Sequence, residues 1–185
     1  VNELPFGFGN AFSPYAPDRE PRLVKRVPLA GGDAGVRQTI DEMRRMVRES
    51  RADPFWKDLS IRLVPVGRAV LGLHAYRQLL VGLRHVFRYA RDAAGTEQLF
   101  RPEVHAARIR TVGATWGDCD DAAIVAGCIV YAANLGPLRF KTIANGKRGR
   151  EMNHVFAEVH VDGAWRTLDF LSPPQTVVRE AVWAV

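Results

Sequence analysis

Cysteine is scarce in this chain: Cys119 and Cys128 are the only two among 185 residues. On a single helix they would lie roughly 13 Å apart along the axis and about half a turn out of phase, whereas a disulfide needs Cα atoms within about 7 Å. A disulfide scaffold is therefore excluded, and two free thiols point to a reducing compartment or a protected site. Long hydrophobic runs are also missing. The longest, Ala122 to Asn134, falls short of the ~20 residues of a membrane span and starts beside three aspartates, so a buried helix is expected there and no membrane partner. Val1 to Asn10 lacks a basic start followed by an apolar core, so no secretory leader is expected. The paired Cys or His spacing of zinc sites is absent. A metal set drawn from Asp118, Cys119, Asp121 and His154 is the weaker alternative, and neither a metal nor an organic cofactor is expected. Basic residues interleaved with aromatics are lacking as well, which argues against nucleic acid as a partner.

The composition that remains, 47% hydrophobic and 25% charged, suits one globular domain with a real core and excludes wholesale disorder. The net charge of +6 is spread along the chain. The exception is Arg139, Lys141, Lys147, Arg148 and Arg150, a run with no acidic residue among its members. Such a run is either a solvated loop and strand edge or a contact for an acidic partner.

Residues 1–35 hold Pro5, Pro14, Pro17, Pro21 and Pro28, with Phe6, Phe8, Phe12 and Tyr15 between them. Proline at this density forbids a regular helix or central strand, and the aromatics make the segment too apolar for a solvated linker. The expectation is an extended arm lying along this domain or a neighbouring subunit, a possible route to protein assembly. The domain proper is then 36–185.

Within it, Val36, Ile40, Met43 and Val47 recur at helical spacing. Asp53-Pro54 is a helix start, and a long helix is expected from about Arg68 to Arg91 with Val70, Leu73, Leu80, Leu83 and Phe87 inward. Residues 92–116 read as irregular. A helix from Asp118 to about Asn134 should stop at Gly136-Pro137. Strands are expected at Leu138–Ala144, Val155–Val161 and Ala164–Phe170, the last two joined at Asp162-Gly163, a strong two-residue turn signal. The tail after Ser172 has no readable structure.

That turn decides the chemistry. Pairing Val161 with Ala164 places His154, Phe156, Trp165, Thr167 and Asp169 on one face, opposite an apolar face formed by Val155, Ala157, Val159, Val161, Leu168 and Phe170. Asp169 is then diagonal to His154, within reach of an imidazole. Cys119 opens a helix, where backbone N–H groups and a partial positive charge favour a thiolate. Asp118, Asp120 and Asp121 oppose that charge, so Cys119 requires His154 as a close partner, with Asp118 as the helix cap. Cys128, His74 and His85 are expected to be structural or surface residues, and His160 to sit exposed near the hairpin end.

Gly117-Asp118-Cys119-Asp120-Asp121 before an alanine-rich helix, then Asn153-His154-Val155-Phe156-Ala157-Glu158-Val159 and Trp165-Arg166-Thr167-Leu168-Asp169, resembles the transglutaminase-like cysteine peptidase superfamily, most closely its bacterial and bacteriophage-associated members. Val86 to Asp92 and Glu97 to Pro102 resemble the segment those members carry before the cysteine. The resemblance implies a papain-like α+β fold, a helical part packed on an antiparallel sheet. It implies Cys119 as nucleophile, His154 as general base and acid, Asp169 as orienter, and an acyl-enzyme formed on a peptide or protein substrate. Trp116 is a candidate second oxyanion donor. Crosslinking transglutaminases carry Gly-Gln-Cys-Trp and arylamine acetyltransferases an Arg-Gly-Gly lead; neither is present here, which favours hydrolysis. The alternative is a bacteriophage virion or assembly component whose triad is vestigial or used once. The implied location is the bacterial cytoplasm, or the virion if phage-encoded.

Overall fold

The computed structural model describes residues 32–64, 72–92, 98–145, 152–171 and 177–185. The arm expected over 1–35 therefore lies outside the described residues up to 31, as do Lys147, Arg148, Arg150 and the Ser172-Pro173-Pro174 segment. The described residues form an α+β arrangement. Helices α1 (Gly32–Ser50), α2 (Pro54–Leu63), α3 (Leu73–Val86), α4 (Pro102–Val112) and α5 (Cys119–Ala132) accompany a four-stranded antiparallel sheet of order β5-β4-β3-β6. Its strands are β3 (Leu138–Asn145), β4 (His154–Val161), β5 (Ala164–Thr167) and β6 (Val177–Ala184). A separate parallel pair joins β1 (Phe87–Tyr89) to β2 (Thr115–Gly117). No helix among the described residues is long and apolar enough to cross a membrane.

The core forms around α5, whose Ala122 to Val130 are all buried. α5 packs on β4, β3, α1 and α2, in one core with Ala157, Val159, Phe140, Met43, Val47 and Trp56. Gly127 lets these layers approach, since a Cβ there would stand 3.0 Å from a Val47 methyl. α5 stops at Ala132, ahead of the expected Gly136-Pro137, because Asn134 takes a left-handed conformation (φ 52°) that asparagine tolerates.

Several expectations hold in detail. α2 begins with Asp53 as N-cap, its Oδ1 accepting from Phe55 N at 2.9 Å, and with Pro54 in the first turn. The hairpin turns at Asp162-Gly163, both with positive φ, and pairs Val161 with Ala164 and Glu158 with Thr167. Asp162 also accepts from Leu73 N at 3.0 Å, so the turn caps the start of α3.

Others are corrected. The long third helix ends at Val86, because Phe87-Arg88-Tyr89 leaves helical geometry to pair with Thr115–Gly117. Its buried stripe is Ala75, Leu79, Gly82, Leu83 and Val86, with Leu73 and Leu80 only half-buried. The region read as irregular contains α4, started by Pro102 and ended by a left-handed Gly113. The unread tail supplies β6, an edge strand on β3. His160 is half-buried against Trp165, ring centroids 5.4 Å apart.

Candidate active site

Cys119 is the first residue of α5, placed there by a short run with no slack. Thr115 and Gly117 are buried in β2, and the carbonyl of Asp118 accepts from Ala122 N at 3.1 Å. Gly117 cannot carry a side chain, because a Cβ would meet Asp121 Oδ2 at 2.1 Å. Asp118 occupies the cap position through its backbone alone, and its carboxyl makes no capping bond. As the first helical residues, Cys119 and Asp120 present N–H groups without intrahelical acceptors, whereas Asp121 N donates to Asp120 Oδ1 at 2.7 Å.

His154 begins β4 and Asp169 follows β5. His154 Nε2 lies 2.7 Å from Asp169 Oδ2, and the same imidazole lines one cavity with Cys119, whose proximity helps to raise the ring's pKa. With Nε2 held by the carboxylate, Nδ1 is the nitrogen left for a second partner. Burial, the largest single influence on the ring, disfavours its charge. The hydrogen bond to Asp169 and the nearness of Cys119, with the negative charge on both, outweigh it and push the imidazole pKa up to about 9. Cys119 and His154 open into one cavity of about 390 Å³, walled by Val36 and Thr39 of α1, Thr142 of β3 and Asn153. The structure thus brings together all three residues that the sequence singles out as a triad.

Trp116 is not in the lining of that cavity. Its ring lies under the Arg108 guanidinium at 4.2 Å, with Phe100 on the other side of the same cation at 4.3 Å, and Arg108 Nη1 donates to the Trp116 carbonyl at 3.2 Å. An oxyanion role for this indole therefore gains nothing from the geometry.

The aspartates around the sulfur sort themselves. Asp121 is fully buried, accepting from Phe100 N at 2.9 Å and facing His105 Nε2 at 3.3 Å; His105 Nδ1 in turn meets Thr115 Oγ1 at 2.8 Å. Burial raises the Asp120 pKa well above the ordinary carboxyl range, helped by a hydrogen bond to Asp118 and by the charges of Asp121, Asp118 and Cys119. Asp118, Asp120 and Asp121 offer oxygens within 4.8 Å of one another, the one group among the described residues spaced to hold a metal. His154 is not part of it, being engaged with Asp169, and a proton on Asp120 relieves the same repulsion that a cation would. Cys128 is fully buried and its thiol is pushed up to about 12, chiefly by burial.

Three functional neighbours escape a sequence reading. Tyr76 Oη donates to the Thr167 carbonyl at 2.6 Å and Arg84 Nε to the Phe170 carbonyl at 3.3 Å, so α3 braces both flanks of Asp169. His105 anchors Asp121 from inside α4. Of the basic run, Arg139 pairs with Glu158 and stacks on Trp165 at 4.1 Å, and Lys141 pairs with Glu180 at 2.6 Å. No family model, no curated protein and no solved structure matches this chain.

Proposed function

We propose that this protein is a thiol-dependent amidohydrolase or peptidase of transglutaminase-like type, with Cys119, His154 and Asp169 as its triad on a papain-like frame. One observation carries the reading: His154 Nε2 stands 2.7 Å from Asp169 Oδ2 while His154 and Cys119 line one cavity, the order of nucleophile, base and orienter that catalysis at an amide requires. His154 Nδ1 takes the thiol proton, giving an imidazolium whose Nε2–H is held by the Asp169 carboxylate. The thiolate attacks the substrate carbonyl carbon, and the oxygen that becomes negative is received by the Cys119 N–H at the head of α5. Collapse breaks the C–N bond as His154 returns its proton to the leaving amine. Water then gives a proton to His154, adds to the acyl carbon and expels the thiolate, leaving a carboxylic acid. The carboxylates beside the sulfur and the missing crosslinking motif favour water over an amine as acceptor.

The test is labelling with a thiol-reactive acylating probe. Wild type and Cys128→Ala should label, whereas Cys119→Ala and His154→Ala should not. Equal labelling of Cys119→Ala and wild type would reject the proposal.

A further inference from the structure

A second concavity, of about 1270 Å³, lies between α2, α3 and α4 and shares no described lining residue with the Cys119 cavity. Its volume exceeds the roughly 300–1,000 Å³ of pockets that enclose a small molecule. The walls are apolar, contributed by Leu59, Leu63, Val81, Ile109 and Val112. Val81 and Val112 leave 47% and 51% of their surface in solvent, so the helices do not cover this groove themselves. Its rim is cationic: among the described residues Arg62, Arg77, Arg88 and Arg110 line it against one carboxylate, Asp58. Arg110 is spoken for by Asp53 at 2.9 Å, and Arg88 Nη1 by the carbonyls of Arg84 and His85. No ion pair engages Arg62 or Arg77 among the described residues.

We infer that this groove is a docking site for an acidic amphipathic peptide segment of a partner protein, a helix presenting one apolar face flanked by carboxylates. The apolar walls call for a hydrophobic stripe, and the imbalance of rim charge calls for acidic residues beside it. A lipid surface is flat and does not enter a concave groove. A nucleic acid needs exposed rings to stack on, and Phe55, the only Phe, Tyr or Trp among the described lining residues, is covered by Arg110 at 4.4 Å. Gly82 fits the same architecture. A Cβ there would press on Leu63 Cδ2 at 2.8 Å, so α2 and α3 meet closely at the base of the groove.

The experiment uses the full chain and a fluorescein-labelled peptide about four helical turns long, with leucines at i, i+3, i+4 and i+7 spacing and glutamates on the other face. Anisotropy should show saturable binding, retained by Cys119→Ala and weakened about tenfold or more by Arg62→Glu with Arg77→Glu. Val81→Asp should weaken it comparably without touching the rim. Circular dichroism of each variant, with these side chains exposed, should match wild type. Absence of saturable binding overturns the inference. So does equal binding of the same peptide with lysines for glutamates, or indifference to both sets of substitutions. Tighter capture of anionic vesicles or of an oligonucleotide than of the peptide, lost in the Arg62/Arg77 variant, also overturns it in favour of that other class.

Discussion

Asp169 reaches His154 diagonally: Oδ2 stands 2.7 Å from Nε2 although the two residues are not opposite one another in the hairpin. The hairpin register continues past β5 through the Leu168 N–H to the Ala157 carbonyl at 2.8 Å, which would set Asp169 across from Phe156. The carboxylate therefore depends on the placement of the chain that carries it, and Tyr76 and Arg84 hold that chain on either side. Asp169→Asn should reduce amide hydrolysis by about 10²–10⁴-fold, the range of a lost acid–base contribution. Tyr76→Phe removes one hydrogen bond remote from substrate and should cost about threefold to tenfold in kcat with KM little changed. Steady-state kinetics on a chromogenic amide check both, and a Tyr76→Phe loss as large as that of Asp169→Asn would show that Tyr76 does more than position.

The raised imidazole predicts how stability follows pH. Its folded pKa of about 9 lies above the ordinary 6.5, so the folded state binds the proton more tightly than the unfolded one. The resulting stabilisation is complete below about pH 6.5 and disappears as pH rises through about 9. Chemical denaturation of wild type and His154→Gln should therefore show the largest stability gap near pH 6 and almost none near pH 10. A gap that widens with rising pH would mean that the ring is held neutral.

Asp120 runs against the usual sense of a carboxylate. Burial and its acidic neighbours raise its pKa in the fold, so its contribution favours the folded state at low pH and penalises it as pH rises and the charged form is demanded. Asparagine keeps the oxygen that accepts from Asp121 N and gains an N–H for Asp118. Asp120→Asn should raise Tm by about 3 °C or more at pH 7.5, with the gain vanishing near pH 4. A scanning calorimetry series across pH checks it, and a gain that persists undiminished at pH 4 would show that the Asp120 carboxyl is not its source.

What the sequence shows and what it hides divides along a physical line. Asp53-Pro54, Asp162-Gly163 and the nearness of His154 to Asp169 are legible because each acts through neighbours in the chain or through a strand count of two. α4 is hidden because its inward side carries His105 and Arg108, buried polar residues that break the apolar stripe by which helices are recognised. β1 is hidden because Phe87 continues the helical spacing of α3, and only pairing with Thr115 pulls it into a strand. β6 is hidden because Val177, Val178 and Val182 are exposed on an edge strand, and in–out alternation marks only its second half. Tyr76 and Arg84 bond carbonyls 91 and 86 positions away, and a backbone acceptor leaves no residue-type signal in the sequence.

Gly117 is the most demanding glycine position near the Cys119 thiol. An alanine methyl would fall 2.1 Å from Asp121 Oδ2, 2.5 Å from its Cβ and 2.6 Å from its Cγ. Asp121 cannot swing away without abandoning Phe100 N and His105, which leaves buried polar groups unpaired. β2 cannot retreat either, since Thr115 is locked to His105. Gly117→Ala should therefore cost about 2–4 kcal/mol and, by displacing the first turn of α5, lower Cys119 labelling out of proportion to the unfolded fraction. Gly82→Ala serves as the comparison. There the obstruction is Leu63, its Cδ2 at 2.8 Å, Cβ at 3.0 Å and Cγ at 3.2 Å, a residue outside the Cys119 cavity, so about 1–3 kcal/mol but unaltered labelling are expected. Urea denaturation curves and labelling rates for the two variants decide the matter. If Gly117→Ala behaves like Gly82→Ala in both, the Gly117–Asp121 contact does not set the position of the thiol.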